Sequence, residues 1–241
     1  MTETRVNPWT DRDVEEFWDS VAGIYRQENE RVRDTHDQRF VFAKKWLDLQ
    51  PGEGLINVTS RDCGVMDFFP EEIQVFITHC EISQGMIDVA KALYPEAKQI
   101  KLESYSELPF GDATFGKLLS LETLEHVSSP HRFLTELNRI ARPDAILVLS
   151  CPPATSELPY QVYSLLLGGH GEGPHRFLPS RRVKRLLAET GWDLLDHKGT
   201  LLVPAGPRWL RQFGERIIEM LQATPVSELG IRQFYAAKKR P

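Results

Sequence analysis

The sequence predicts an α/β fold built on a mostly parallel sheet. Hydrophobic periodicity switches repeatedly between helix and strand along the chain. Short apolar runs of strand length alternate with helical segments, which implies parallel strands joined by right-handed crossovers. A chain of 241 residues suffices for one such domain with a substantial core and is short for two. No internal repeat or low-complexity tract breaks the alternation.

The elements follow in order. Over Asp11–Gln27, residues Val14, Phe17, Trp18, Val21 and Tyr25 fall near one helical face, and Phe42, Trp46 and Leu49 do the same over Gln38–Leu49. Strands are expected at Leu55–Val58, Gln74–Cys80, Gln99–Leu102, Gly116–Leu121 and Ala145–Ser150. Helices fall between them at Ser83–Leu93, with serine at the cap, and at Pro130–Ile140. After Cys151–Pro153 the pattern loosens through the turn-rich Gly168–Gly173. The preceding Leu158–Leu167, with Tyr160 and Tyr163, is apolar enough for a lid or a dimer face. A helix at Ser180–Thr190 is stopped by Gly191. A strand near Trp192–His197, a helix near Arg208–Leu221 and a last strand near Ile231–Lys238 complete the chain.

Composition narrows the partners. With 29 basic and 34 acidic residues and a net charge of −5, there is no basic footprint for a nucleic acid as primary ligand. The run RFLPSRRVKR at Arg176–Arg185 reads as the solvated face of a helix start. No apolar run reaches spanning length and the amino terminus is polar, so no membrane partner and a cytoplasmic location are expected. Cys63, Cys80 and Cys151 are few, odd in number and widely spaced, as suits a reduced compartment and small buried thiols.

The chemistry gathers at strand ends. Phe115–Val127, FGKLLSLETLEHV, reads as a buried strand breaking into a helix start. Its carboxyl end carries Leu121, Glu122, Glu125 and His126, where open α/β sheets bind ligands. Glu122 and Glu125 are then one helical turn apart. With His126, and His175 in PHRF, they either hold a divalent cation or cap the helix, and the metal-free reading is preferred. His126 is the candidate general base, since an ordinary imidazole titrates near neutral pH. His131 and His170 read as solvated. Glu81, ending the second strand, stands at the interval of an acid that holds a nucleotide ribose; the alternative is a surface glutamate capping the Ser83 helix.

FGKLLSLETLEHV resembles the fourth-strand segment of class I S-adenosylmethionine (SAM) methyltransferases of the small-molecule branch, and Ser106–Phe115 (SELPFGDATF) resembles their loop beside the adenine. Phe17–Tyr25 (FWDSVAGIY), Glu81–Lys91 (EISQGMIDVAK) and Ala145–Pro152 (AILVLSCP) are similar to the amino-terminal helix, second strand with its helix, and fifth strand. The resemblance covers about Phe17 to Gly191. It implies a Rossmann-like three-layer sandwich with a mostly parallel seven-stranded sheet and an antiparallel last strand. Helices in residues 1–50 would cover the cleft of a core over 51–241, with lid insertions near 153–176 and 204–228.

The same resemblance implies SAM as cofactor and a small-molecule acceptor, and a monomer or homodimer is expected. Cofactor contacts would come from Tyr25, Asn57, Thr59, Arg61, Glu81, Ile82, Met86, Ser104, Tyr105 and Leu121. The chain departs from the family at the glycine-rich loop, where an acid and alternating glycines become Asn57, Thr59, Arg61 and Cys63, with a glycine displaced to Gly64. Glycine permits positive φ there, a freedom that threonine and arginine lose. Arg61 would either point away from the pocket or pair with the cofactor carboxylate. Asn57 could still accept from loop amides, and Ser104 stands where relatives carry an aspartate. Three functions therefore stay open: SAM-dependent methyl transfer, an inactive methyltransferase-like binding protein, and metal-assisted O-methylation.

Overall fold

In the computed structural model, residues 6–30, 32–74, 76–161, 171, 173–204 and 206–241 are described. Two helices, α1 (Asp11–Glu30) and α2 (Arg33–Leu47), precede strand β1 (Leu55–Val58). A 3-10 turn (Gly64–Phe68) and the short α3 (Glu71–Gln74) lead to β2 (Ile77–Glu81), α4 (Gln84–Leu93), β3 (Lys98–Lys101) and β4 (Phe115–Leu121). Then come α5 (Pro130–Ile140), β5 (Ala141–Cys151), α6 (Ser180–Glu189), β6 (Trp192–Thr200), α7 (Arg208–Met220) and β7 (Arg232–Lys239). Tyr163, His170 and much of the apolar segment around them lie outside the described residues.

The seven strands form one sheet in the order β3-β2-β1-β4-β5-β7-β6. β1 pairs in parallel with β2 and β4, whereas β7 runs antiparallel to both β5 and β6. Successive residues of the inner strands face opposite layers, as the period of two requires. Ile56, Leu118 and Leu147 join the core under α1, α5 and α6, while Leu55, Leu119 and Val148 join the core under α2. Helices on both faces explain why these strands read as unbroken apolar runs. The expected three-layer sandwich with an antiparallel last strand is thus the fold.

Local chemistry sets most element boundaries. Ser83 caps α4 by accepting from the Met86 N–H at 3.0 Å, and Gly191, at φ +86°, ends α6. The second strand begins later than expected, at Ile77, because residues 71–74 take one helical turn after Pro70, whose carbonyl accepts from the Ile73 and Gln74 N–H groups. α2 begins at Arg33 rather than Gln38.

The expected helix start at Glu122 is replaced by a turn. Glu122 adopts a left-handed φ of +52°, a single bond joins the His126 N–H to the Thr123 carbonyl, and α5 starts only at Pro130 behind its Ser129 cap. Left-handed backbone at Glu122 breaks the helical path, and the Ser-Pro pair supplies the cap and first-turn residue that a start requires. Glu122 and Glu125 are therefore not stacked on a helix.

α1 is tied across the carboxyl ends of the strands by its acids. Asp11 accepts from the Ser104 hydroxyl at 2.7 Å and the Tyr105 N–H at 2.9 Å. About two helical turns further along α1, Asp19 accepts from the Ser83 hydroxyl at 2.6 Å and the Gly85 N–H at 2.9 Å. A Cβ at Gly85 would meet the Cβ of Ala22 at 3.0 Å, so glycine lets α1 and α4 approach.

Candidate cofactor and acceptor cleft

The loop after β1 keeps a glycine-type backbone without glycine. Thr59, Arg61 and Cys63, at alternating positions, have φ of +66°, +51° and +58°. Left-handed backbone at residues other than glycine costs about 1–3 kcal/mol each and persists where surrounding contacts hold it. The contact that holds this loop is Glu81, at the adjacent end of β2. Its carboxylate accepts from the Arg61 N–H at 2.7 Å, the Ile82 N–H at 2.9 Å, the Ser83 N–H at 3.0 Å and the Arg61 Nη1 at 3.5 Å. Glu81 is fully buried rather than a surface cap.

The Arg61 guanidinium does not point away from the pocket: it turns into the cleft, lies 3.6 Å from the centre of the Trp18 ring and pairs with Glu81. Three of the four donors fall on Oε1 and only the Arg61 N–H on Oε2, so Oε2 keeps an acceptor position while the guanidinium, the longest of the four contacts, crowds Oε1. The loop backbone and the strand-end acid thus fit an adenosyl cofactor, with the Arg61 guanidinium lying beside the carboxylate.

The other expected contacts surround this pair. Tyr105 is buried on Phe133, and its hydroxyl is 3.5 Å from the Thr59 hydroxyl. Ile82 and Met86 are fully buried behind Glu81, and Leu121 is buried at the end of β4. Ser104 is engaged by Asp11, and Asn57 pairs across the sheet with His79 at 3.2 Å rather than with loop amides.

Tyr25, His126 and Arg61 open onto a cavity of about 150 Å³, shared with Arg39, Arg232 and Glu122. Small-molecule sites run to roughly 300–1,000 Å³. Trp18, Arg39 and Arg232 were absent from the expected site. Arg39 carried a legible signal, a charged residue on the buried stripe Phe40, Ala43 and Leu47 of α2. Arg232 carried none, because it reaches the cleft from the far end of the chain.

Burial sets the protonation of His126, the expected base. Burial, assisted by Arg61, lowers the pKa of His126 to about 3, so the ring is neutral at working pH and weaker as a base than an ordinary imidazole. Its Nδ1 lies 3.0 Å from the Pro174 carbonyl, which can only accept, so that nitrogen carries the proton. Glu122 accepts from the Ser150 hydroxyl at 2.6 Å and pairs with Arg232 at 3.2 Å. His175 lies near His126 and takes the Gly173 carbonyl and Glu157 as its own partners. Among the described residues no three His, Cys, Asp or Glu side chains are placed to hold a metal ion, and no helix is long and apolar enough to cross a membrane.

Comparison with known proteins agrees with this geometry. Residues 63–149 match the family model for a methyltransferase domain. O-methyltransferase resE of Aspergillus sclerotiorum is 28% identical over 135 residues, covering 51% of this chain and 48% of that protein. The mitochondrial ubiquinone biosynthesis O-methyltransferase of Schizosaccharomyces pombe is 25% identical over 179 residues, covering 69% and 61%. The chain thus spans about half to three fifths of these relatives. Among solved structures, the Haloferax volcanii protein in complex with the Trm112 methyltransferase activator superposes with a TM-score of 0.71 at 14% identity, over 94% of this chain and 99% of that one. The matched methyltransferase domain at residues 63–149 and this sheet order make the chain similar to class I SAM-dependent methyltransferases, with the strand-end acid and the alternating left-handed loop at the carboxyl ends of the same strands.

Proposed function

We propose that the chain is a SAM-dependent methyltransferase acting on a small-molecule acceptor. The observation that carries this reading is the retention of three alternating left-handed residues, at 59, 61 and 63, after their glycines have gone. A loop released from function has no reason to keep strained backbone at each of the family's positions. When bound, SAM supplies a methyl group activated by a sulfonium. Glu81, the loop amides, Ile82, Met86, Ser104, Tyr105, Leu121 and Tyr25 are the residues that would hold it. The chain's own contribution is to exclude water and to align the acceptor, which needs little acid–base help if its nucleophile is already neutral or anionic. That division suits a neutral, buried His126, which would orient the acceptor through its ring.

One observation favours a second reading, an inactive methyltransferase-like binding protein: the Arg61 guanidinium on Glu81. Calorimetric titration of SAM and S-adenosylhomocysteine into the wild type and Arg61→Gly separates the two. Wild-type binding that weakens in Arg61→Gly supports the enzyme, with Arg61 transferring from Glu81 to the cofactor carboxylate. Binding by Arg61→Gly alone supports a cleft that the arginine closes.

A further inference from the structure

Arg39 is a buried cation that touches no carboxylate among the described residues. It is 7% exposed, and its guanidinium meets the Tyr25 hydroxyl at 3.2 Å, the His36 Nε2 and the face of Phe40. Among the described residues no carboxylate lies within ion-pair reach of it, and its Nε is enclosed with no acceptor. A guanidinium does not deprotonate in a protein, and an unpaired buried charge is among the costliest arrangements a fold can carry. Glu122 and Asp62 act on it only from beyond ion-pair distance. Arg61 is matched by Glu81 and Arg232 by Glu122, and the cavity itself is lined by three guanidiniums, Arg39, Arg61 and Arg232, and one carboxylate, Glu122. The two imidazoles there, His36 and His126, are both held neutral by burial and by nearby arginines, and contribute no compensating charge. Asn29 adds a second enclosed donor, its Nδ2, also without an acceptor.

The cavity thus presents an arginine-rich lining and three enclosed donors without a hydrogen-bond acceptor among the described residues, Arg39 Nε, Asn29 Nδ2 and Arg232 Nε. Its volume of about 150 Å³ fixes the size of what fits. A cavity of about that volume takes a molecule such as benzene, so a carboxylate on a short stem or a phosphate fits and an adenosyl group does not. We propose that this cavity is an anion subsite, in which Arg39 and Asn29 bind the carboxylate or phosphate of the methyl acceptor while Arg232 flanks it. The word acceptor rests on the methyltransferase reading; the anion subsite does not.

Malonate and inorganic phosphate, titrated calorimetrically into the full chain without and then with saturating SAM, test the assignment. The wild type is expected to bind at least one of them, and to do so equally well with SAM present. Arg39→Gln, checked for native circular dichroism, is expected to weaken binding about tenfold or more, the scale of losing a charge-assisted contact. Asn29→Ala, on the partly exposed face of α1, is expected to weaken it about threefold, and it serves if Arg39→Gln does not fold. No binding of either anion to the wild type, or unchanged affinity in both variants, overturns the subsite. Competition between the anions and SAM overturns the acceptor assignment and gives the cavity to the cofactor's own carboxylate. If SAM fails to bind while the anions do, the functional reading falls and the subsite stands.

Discussion

Arg61 and Glu81 make an unequal pair, because each has different company. Glu81 has three main-chain N–H donors besides the guanidinium, whereas Arg61 has the Trp18 ring and no second carboxylate contact among the described residues. Removing the acid strands a buried cation and releases the loop, a type of change that costs about 3–5 kcal/mol. Removing the arginine leaves the acid satisfied and relieves a left-handed residue at φ +51°. Urea unfolding is therefore expected to show Glu81→Ala destabilised by about 3 kcal/mol or more and Arg61→Gly within about 1–2 kcal/mol of wild type. Equal losses in the two variants would contradict this account. At this scale the strand-end acid was legible from its place after β2. The direction of Arg61 was not, because it depends on Trp18, a residue on another element whose spacing reads only as core.

Ser83 does two tasks at once for the elements it joins. Its hydroxyl accepts from the first turn of α4 and donates to Asp19 of α1, so one oxygen both caps a helix and fastens the cover of the cleft. Ser83→Ala is expected to cost about 1–2 kcal/mol, the upper part of the range for a lost cap. Asp19→Asn, which retains an acceptor, should cost less; a larger loss in Asp19→Asn would show that the cap is the minor partner. The serine cap, the Ser129-Pro130 start and the Gly191 stop were readable because each is settled within one turn of chain. The segment 122–128 was misread as helical because its spacing fits a helix, while the left-handed φ at Glu122 follows from the tertiary pull of Ser150 and Arg232. The same holds for the cavity: Arg39 and Arg232 meet there from positions nearly two hundred residues apart.

Across the whole molecule, buried histidines make stability depend on pH. His79 and His126 are lowered by burial to about 4 and about 3, and His36 is lowered further. In the unfolded chain each titrates near 6.5. Below that value the unfolded state takes up protons that the folded state refuses, so the stabilisation is complete above pH 6.5 and is lost as pH falls. By pH 5.5 each histidine is expected to have cost about 1.4 kcal/mol. Melting temperatures of the wild type and His126→Gln, followed from pH 7.5 to 5.5, are expected to converge, since the variant lacks one of these protonation sites. A constant gap would remove His126 from the acid response.

The position of β7 bears on how the protein is made. The ribosome delivers β1 to β5 and then β6, yet β6 has no place beside β5 until Arg232–Lys239 has emerged to lie between them. Until then β5 carries an unpaired apolar edge, the kind of surface that nascent chains shield with chaperones. Because Arg232 opens the late strand, the same moment of synthesis that seals the sheet also finishes the charged cavity. A nascent chain arrested before that strand would hold most of the sheet and lack the finished binding site.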